Sequence, residues 1–295
     1  MSQVPPPIPG AIDVTTVSDA PGRGPQWWAG APSVVRLDDG TFVMAYRSRA
    51  GSGADDALHI ARSEDGITFN MTATLDKHRY GAAMVERATI LPLPDGRWRL
   101  YASFATPDSL HWWVGMLEAI SPEALADAAS QIPVFPGDPV TGVKDPVIRR
   151  DPATGRWRAW LCHHLLDIPG EEDRMETAFA TSDDGIAWST PEIVLRGRPG
   201  TWDARGARLT AFLPDGRATY DGRASKEENW FERTGLADPV AGTDTLLATN
   251  DGPVSTARYL EVVPLPDGSC RLYYEQVLPD ETHDLRTAIL PRARG

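Results

Sequence analysis

Four carboxylates and five arginines occupy positions from which they could do chemistry together: Glu86, Asp145, Asp203 and Glu275 beside Arg47, Arg87, Arg205, Arg223 and Arg258. Two carboxylates across a cleft can perform acid/base catalysis when their surroundings push their pKa values apart. At a sugar, a pair about 6.5–9.5 Å apart would fit inversion with water between them, and about 5–5.5 Å would fit retention. Glu86 with Asp145 is the preferred pair, and Asp203 is the third candidate. An acid among so many arginines can also be a salt-bridge partner, a reading that bears most on Asp203 and Glu86. Asp145 has less structural need of a charge, because Asp145-Pro146 opens an apolar strand. The arginines suit bidentate binding of an anionic or highly oxygenated ligand; alternatively they neutralise acids on neighbouring elements. Trp27, Trp28 and Tyr259 could stack on a ligand ring, and His163 could reach the same pocket.

These residues can meet only if a repeat places them at one end of a common axis. The stretch from Val143 to Trp160 reads as a carboxylate at a strand start, a short apolar strand, a Gly turn and a second strand. That is a β-hairpin pattern. Four other stretches repeat it, with turn glycines at Gly40, Gly96, Gly155, Gly216 and Gly268, at intervals of roughly 50 to 60 residues. Asp-Gly turns favour positive φ at the glycine, so the punctuation persists while the strands vary. Each unit has two strong strands and room for two weaker ones, which predicts a radial repeat rather than a sandwich. The expected fold is all-β: a single five-bladed β-propeller of four-stranded antiparallel blades around a central channel. The blades should lie near 27–80, 81–140, 141–200, 201–250 and 251–295, with the strand at 11–18 closing the last one. Counting about nine residues back from each turn glycine reaches Ala31, Arg87, Asp145, Ala207 and Tyr259 at the start of an inner strand. Counting forward reaches Arg47, Ser103, Cys162, Arg223 and Glu275 at the end of the next. A slip of one or two residues adds Glu86, His163, Arg205 and Arg258.

Two further segments carry Ser-x-Asp-Gly-Ile-x-aromatic, at Ser63 to Phe69 and Ser182 to Trp188. Ser and Asp there should bond the turn backbone while the aromatic packs between blades. Asp65 and Asp184 are therefore structural. Ser121 to Gln131 reads as a short helix with Ser at its N-cap and Pro at its first position, decorating the second blade.

The chain has 295 residues, 41% hydrophobic, enough for a substantial core, and a net charge of -12. That charge argues against a nucleic-acid surface. No run approaches a membrane span, and the Pro-rich start lacks a basic stretch followed by an apolar one, so a cytoplasmic location is expected. The two cysteines, Cys162 and Cys270, lie far apart; either a single disulfide or, more simply, two thiols fits. His163 and His164 are adjacent on a strand and point to opposite faces, so a shared metal is not expected. No phosphate loop, dinucleotide fingerprint or nucleophile elbow is present. The expected partner is a small molecule, with no cofactor, nucleic acid or membrane.

With its repeats laid out, the sequence resembles the five-bladed glycoside hydrolases: the family 43 arabinanases and xylosidases and the related invertases and levansucrases. The Ser-x-Asp-Gly turns, Asp145-Pro146 and the strand start Ala31-Pro32-Ser33-Val34 carry the resemblance, and they touch most of the chain. It implies three carboxylates at the channel mouth: a base or nucleophile on blade one, a pKa-setting Asp on blade three and an acid Glu on blade four. Asp145 matches the blade-three position. The blade-one position is Ala31, and the blade-four Glu aligns with Arg205, with Asp203 the nearest acid. The expectation is a glycosidase-like enzyme on a small glycoside or sugar-derived metabolite. The alternatives are lyase, isomerase or cyclase chemistry on an oxygenated or anionic natural product, or a catalytically inactive sugar-binding propeller.

Overall fold

The computed structural model describes residues 6–51, 56–128 and 131–292. The first residues of the Pro-rich start, positions 129–130 of the insert and the last three residues of the chain lie outside the described residues. Five antiparallel four-stranded meanders account for nearly all of the described chain. Their innermost strands are Trp28–Arg36, Val85–Pro92, Thr141–Arg150, Gly206–Phe212 and Ala257–Pro264. Each of these contacts the next, and the last contacts the first, so the strands form a closed ring around an axis. This is a five-bladed propeller. The outermost strand of the fifth blade is Ile12–Ser18, which pairs antiparallel with His283–Leu290 and so ties the start of the chain to its end.

The turns follow from local chemistry. Gly40, Gly96, Gly155, Gly216 and Gly268 all adopt positive φ, the conformation a tight turn demands and only glycine takes freely. In both Ser-x-Asp-Gly turns the serine Oγ accepts the glycine N–H at 2.9 Å, while the aspartate accepts the two following backbone amides. Phe69 then packs edge-on against Tyr273 of blade five, and Trp188 against Tyr101 and Phe135 of blade two. The aromatics thus lock neighbouring blades.

Hydrophobic cores sit between blades. Leu58 and Ile60 of blade one pack with Leu100 and Phe104 of blade two, and Tyr101 and Val114 with Trp157 and Leu161 of blade three. The expected helix at 121–131 is instead a 3₁₀ stretch, Glu123–Asp127, with the Ser121 Oγ accepting the Ala124 N–H at 3.2 Å. Its ends are tied to blade one through Arg62 and Arg79, which leaves little length for an α-turn. The two cysteines are buried free thiols.

One irregularity decides the site. Four inner strands slip register near the same end of the channel, at Gly30/Ser33, Glu86/Ala88, Lys144/Val147 and Arg258/Glu261. These are β-bulges, which re-aim side chains. Ala31, Asp145 and Tyr259 there have φ of 50°, 49° and 50°, a left-handed conformation that costs a non-glycine residue energy. Side chains hold it in place: Ser103 Oγ accepts the Asp145 N–H at 2.8 Å, and Asp221 accepts the Tyr259 N–H at 3.0 Å. In blade four the slip lies farther along, between Leu209 and Ala211.

Candidate active site

The bulges turn consecutive residues toward one end of the axis. Lys144 Nζ lies 3.8 Å from the Asp145 carboxylate, and the Arg258 guanidinium lies over the adjacent Tyr259 ring. A cavity of about 360 Å³ opens there, drawing residues from all five blades. Its floor is Arg47, Glu86, Lys144, Arg208, Arg258 and Tyr259, with Trp112 and Trp230 among its walls. The opposite end of the axis has a cavity of about 470 Å³, mostly apolar, with Arg149 and Glu261 its only charged residues. The ionisable groups gather at the first.

Charges at this floor form a belt that crosses every blade. Arg47 bonds Glu86 at 3.2 Å and Glu275 at 2.9 Å. Glu86 is also held by Lys144, which neighbours Asp145. Arg208 donates to Asp145 Oδ2 at 2.8 Å, to Tyr259 Oη at 2.8 Å and to Asp221 at 2.7 Å. Arg258 pairs with Glu232 at 2.9 Å and Glu275 at 3.2 Å, which returns the belt to Arg47. Tyr259 sits at its centre, with the guanidinium carbons of Arg208, Arg258, Arg47 and Arg87 at 3.9, 5.2, 5.7 and 5.8 Å from its ring.

The belt sets protonation. Burial opposes ionisation of Glu86, but Lys144 and Arg47 outweigh it and hold the carboxyl far below its ordinary range. Glu232 is likewise buried, yet Arg258 and Arg223 pull it down to about 2. At the cavity edge Asp173 is lowered, burial being outweighed by Arg205 and Arg223, and Glu172 is lowered by the Gly170 N–H. Burial drives His164 down to about 3 and leaves it neutral. Tyr259 is pushed well above its ordinary value by burial, against the pull of Arg208.

The sequence candidates divide accordingly. Glu86, Arg47, Arg258 and Tyr259 line the cavity. Asp145, 1% exposed, lies just beneath, with Oδ2 on Arg208 and Oδ1 without a hydrogen-bond partner among the described residues. Glu275 is fully buried behind Arg47, bonded also to His283 at 2.8 Å. Arg87 reaches down the axis to the Thr210 carbonyl at 2.8 Å and to Glu261 at 3.6 Å. Trp28 backs the wall, between Arg47, Arg49 and Trp230. Arg223 pairs with Glu232, and Arg205 with Asp173 and Glu171, outside the floor.

Three placements correct the expectation. Asp203 is buried away from the cavity, taking the Tyr220 hydroxyl at 2.6 Å and Arg198 at 3.0 Å, where it braces the loop before the fourth inner strand. His164 rather than His163 faces the cavity, because strand alternation puts the two on opposite sides. Trp27 lies against Gly22 and Gly51 instead of the cavity. Lys144, Arg208, Trp230 and Glu232 were not foreseen. Lys144 carried a signal in preceding the Asp-Pro bulge; the loop residues carried none. Among the described residues no three histidine, cysteine or carboxylate side chains are grouped to hold a metal ion.

No protein-family model matches the chain, and no curated protein sequence does. Solved structures do. A thermostable family-43 glycoside hydrolase superposes with a TM-score of 0.68 at 13% identity, covering 93% of this chain and 91% of that one. A β-1,2-mannobiose phosphorylase from Listeria innocua gives 0.62 at 14%, covering 97% and 93%. A structure from the GH130 family of mannoside phosphorylases, described as containing hydrolases of β-1,2 mannosidic linkages, gives 0.64 at 14%, covering 100% and 99%. At such identities the likeness establishes the fold, the propeller shared by these carbohydrate-active enzymes.

Proposed function

We propose that this protein is an enzyme that cleaves a small glycoside or sugar-derived metabolite at the belted end of its propeller. The observation that carries the reading is Glu86: a carboxylate at the cavity floor, kept ionised by Arg47 and Lys144. A carboxylate held ionised and facing a substrate can stabilise positive charge at a sugar carbon. Trp230, 39% exposed, offers an apolar face for a sugar ring. The superposed structures, whose names describe glycoside hydrolases and a phosphorylase, support the substrate class. Asp145 serves one layer down, orienting Arg208 and the Tyr259 hydroxyl.

The test is turnover on a panel of aryl and alkyl glycosides. Glu86→Gln should lower kcat at least about 100-fold with substrate affinity kept. Asp145→Asn should lower kcat as well, through the groups it orients. A Glu86→Gln variant as active as wild type would refute the assignment. One feature favours a second reading. The inner-strand bulge of blade one carries Gly30 and Ala31 and no carboxylate, and the space beside Gly30 is filled by the fully paired Glu275. The base that the resemblance implies on blade one is therefore missing, which fits a lyase or isomerase on an oxygenated metabolite. Product formed without incorporation of oxygen from labelled water would establish that alternative.

A further inference from the structure

Glycoside cleavage needs a proton for the leaving oxygen, and no carboxyl group lining this cavity is placed to hold one. Glu86 is bonded to Arg47 and Lys144, Glu232 to Arg223 and Arg258, and Asp173 to Arg205. Glu172 accepts a backbone N–H. Each of these carboxylates has partners that stabilise its charged form. Asp145 does not line the cavity at all. Among the described lining residues a single hydroxyl exists, and it belongs to Tyr259.

We propose that Tyr259 is the proton donor of this site, with Arg208 holding its oxygen and Asp145 positioning both. The inference rests on the glycoside-cleaving reading above. The Tyr259 Oη is 2.8 Å from Arg208 Nη1 and 3.5 Å from Asp145 Oδ2. Arg208 thus stands ready to stabilise a phenolate, as a preorganised cation does for any developing anion. Arg47, Arg87 and Arg258 around the ring add to the same field. Burial keeps the phenol protonated across the working pH range, so the donor is always loaded. The left-handed backbone at Tyr259 fits this role, since strain at a bulge is kept where it aims a functional group.

The step balances. Water attacks the anomeric carbon as the bond to the leaving oxygen breaks. The Tyr259 proton goes to the leaving oxygen, the phenolate stays paired with Arg208, and the ionised Glu86 stabilises the positive charge at the anomeric carbon. The proton released by the attacking water passes through solvent to the phenolate, which restores the donor. The Lys144 ammonium on the floor also carries a proton, but it is the ion-pair partner of Glu86, and its loss of a proton would leave that carboxylate without its closest cation.

The experiment compares wild type and Tyr259→Phe on two glycosides of one sugar, with a nitrophenol and an alkyl alcohol as leaving groups. A nitrophenolate leaves without help; an alkoxide does not. The variant should lose about 100-fold or more in kcat/KM on the alkyl glycoside and under about 10-fold on the nitrophenyl one. Equal losses on both, or no loss on either, would overturn the proposal. So would a leaving-group split seen for Lys144→Gln instead. Should the phenylalanine variant fail to fold, 3-fluorotyrosine at position 259 keeps the shape and makes the phenol more acidic. It should change kcat/KM on the alkyl glycoside and leave the nitrophenyl glycoside unchanged; equal effects on both, or none on either, overturn the assignment. A wild type that turns over neither glycoside would overturn the glycoside-cleaving reading itself, and this proposal with it.

Discussion

Gly30 offers the sharpest test of the charge belt. It pairs with Arg47 on the neighbouring strand of blade one, and its backbone lies outside the left-handed region, so alanine is conformationally admissible. The obstacle is a side chain from another blade. A Cβ on Gly30 would lie 2.5 Å from Glu275 Cγ and 2.6 Å from its Cδ, closer than carbon atoms can approach. Glu275 is fully buried and bonded to Arg47, Arg258 and His283, so it cannot swing away without leaving those partners. Disrupting a buried ion pair costs about 3–5 kcal/mol, or on the order of 10 °C in Tm for a chain of this size. Urea denaturation of wild type, Gly30→Ala, Glu275→Ala and the double variant measures the coupling. Once Glu275 is truncated, alanine at position 30 should cost under about 1 kcal/mol, leaving a coupling of at least about 2 kcal/mol. A nearly neutral Gly30→Ala, or costs that simply add, would refute the reasoning.

Two further outcomes follow from the same chemistry. Glu232 has its folded pKa depressed from 4.5 to about 2, so its contribution to stability is present above about pH 4.5 and lost as pH falls toward 2. Glu86 and Glu275 are depressed in the same sense. The urea midpoint should fall steeply across that window, and Glu232→Gln should flatten the slope. Asp65→Ala removes the acceptor for the Ile67 and Thr68 amides at an exposed turn. It should lower Tm by a few degrees, moderated by solvent, and leave kcat unchanged.

The architecture was legible because its punctuation is local. A turn glycine with positive φ and a Ser-x-Asp-Gly loop are each specified by a handful of adjacent residues. Five such turns at similar intervals leave few alternatives to a ring of blades. The site was less legible, because its geometry depends on where regular alternation fails. Counting back from the turns reached Arg87, Asp145 and Tyr259, each of which sits at a bulge. A regular strand would send Lys144 and Arg258 to the opposite face, yet the bulges bring both to the cavity. In blade four the slip comes later, so the residue that enters is Arg208 rather than Ala207.

The arginines show the same limit in another form. Their number hinted at an anionic ligand, but the hint is only as good as the count of unpaired charges. Arg47, Arg205, Arg223 and Arg258 each meet at least one carboxylate within 3.2 Å, and the Arg87 partner Glu261 stands at 3.6 Å. Most of those pairings cross blades: Arg47 with Glu86 and Glu275, Arg205 with Asp173, Arg258 with Glu232, and Arg87 with Glu261. Contacts of that kind are set by tertiary closure and leave no trace in local spacing. Once the pairs are made, the floor is a nearly balanced ionic lattice rather than a basic patch. Its cations then act chiefly on the protein's own groups, keeping Glu86 charged and the Tyr259 oxygen hydrogen-bonded. On the glycoside-cleaving reading, recognition of the substrate would fall to the aromatic walls and to whichever hydroxyls can exchange into that lattice.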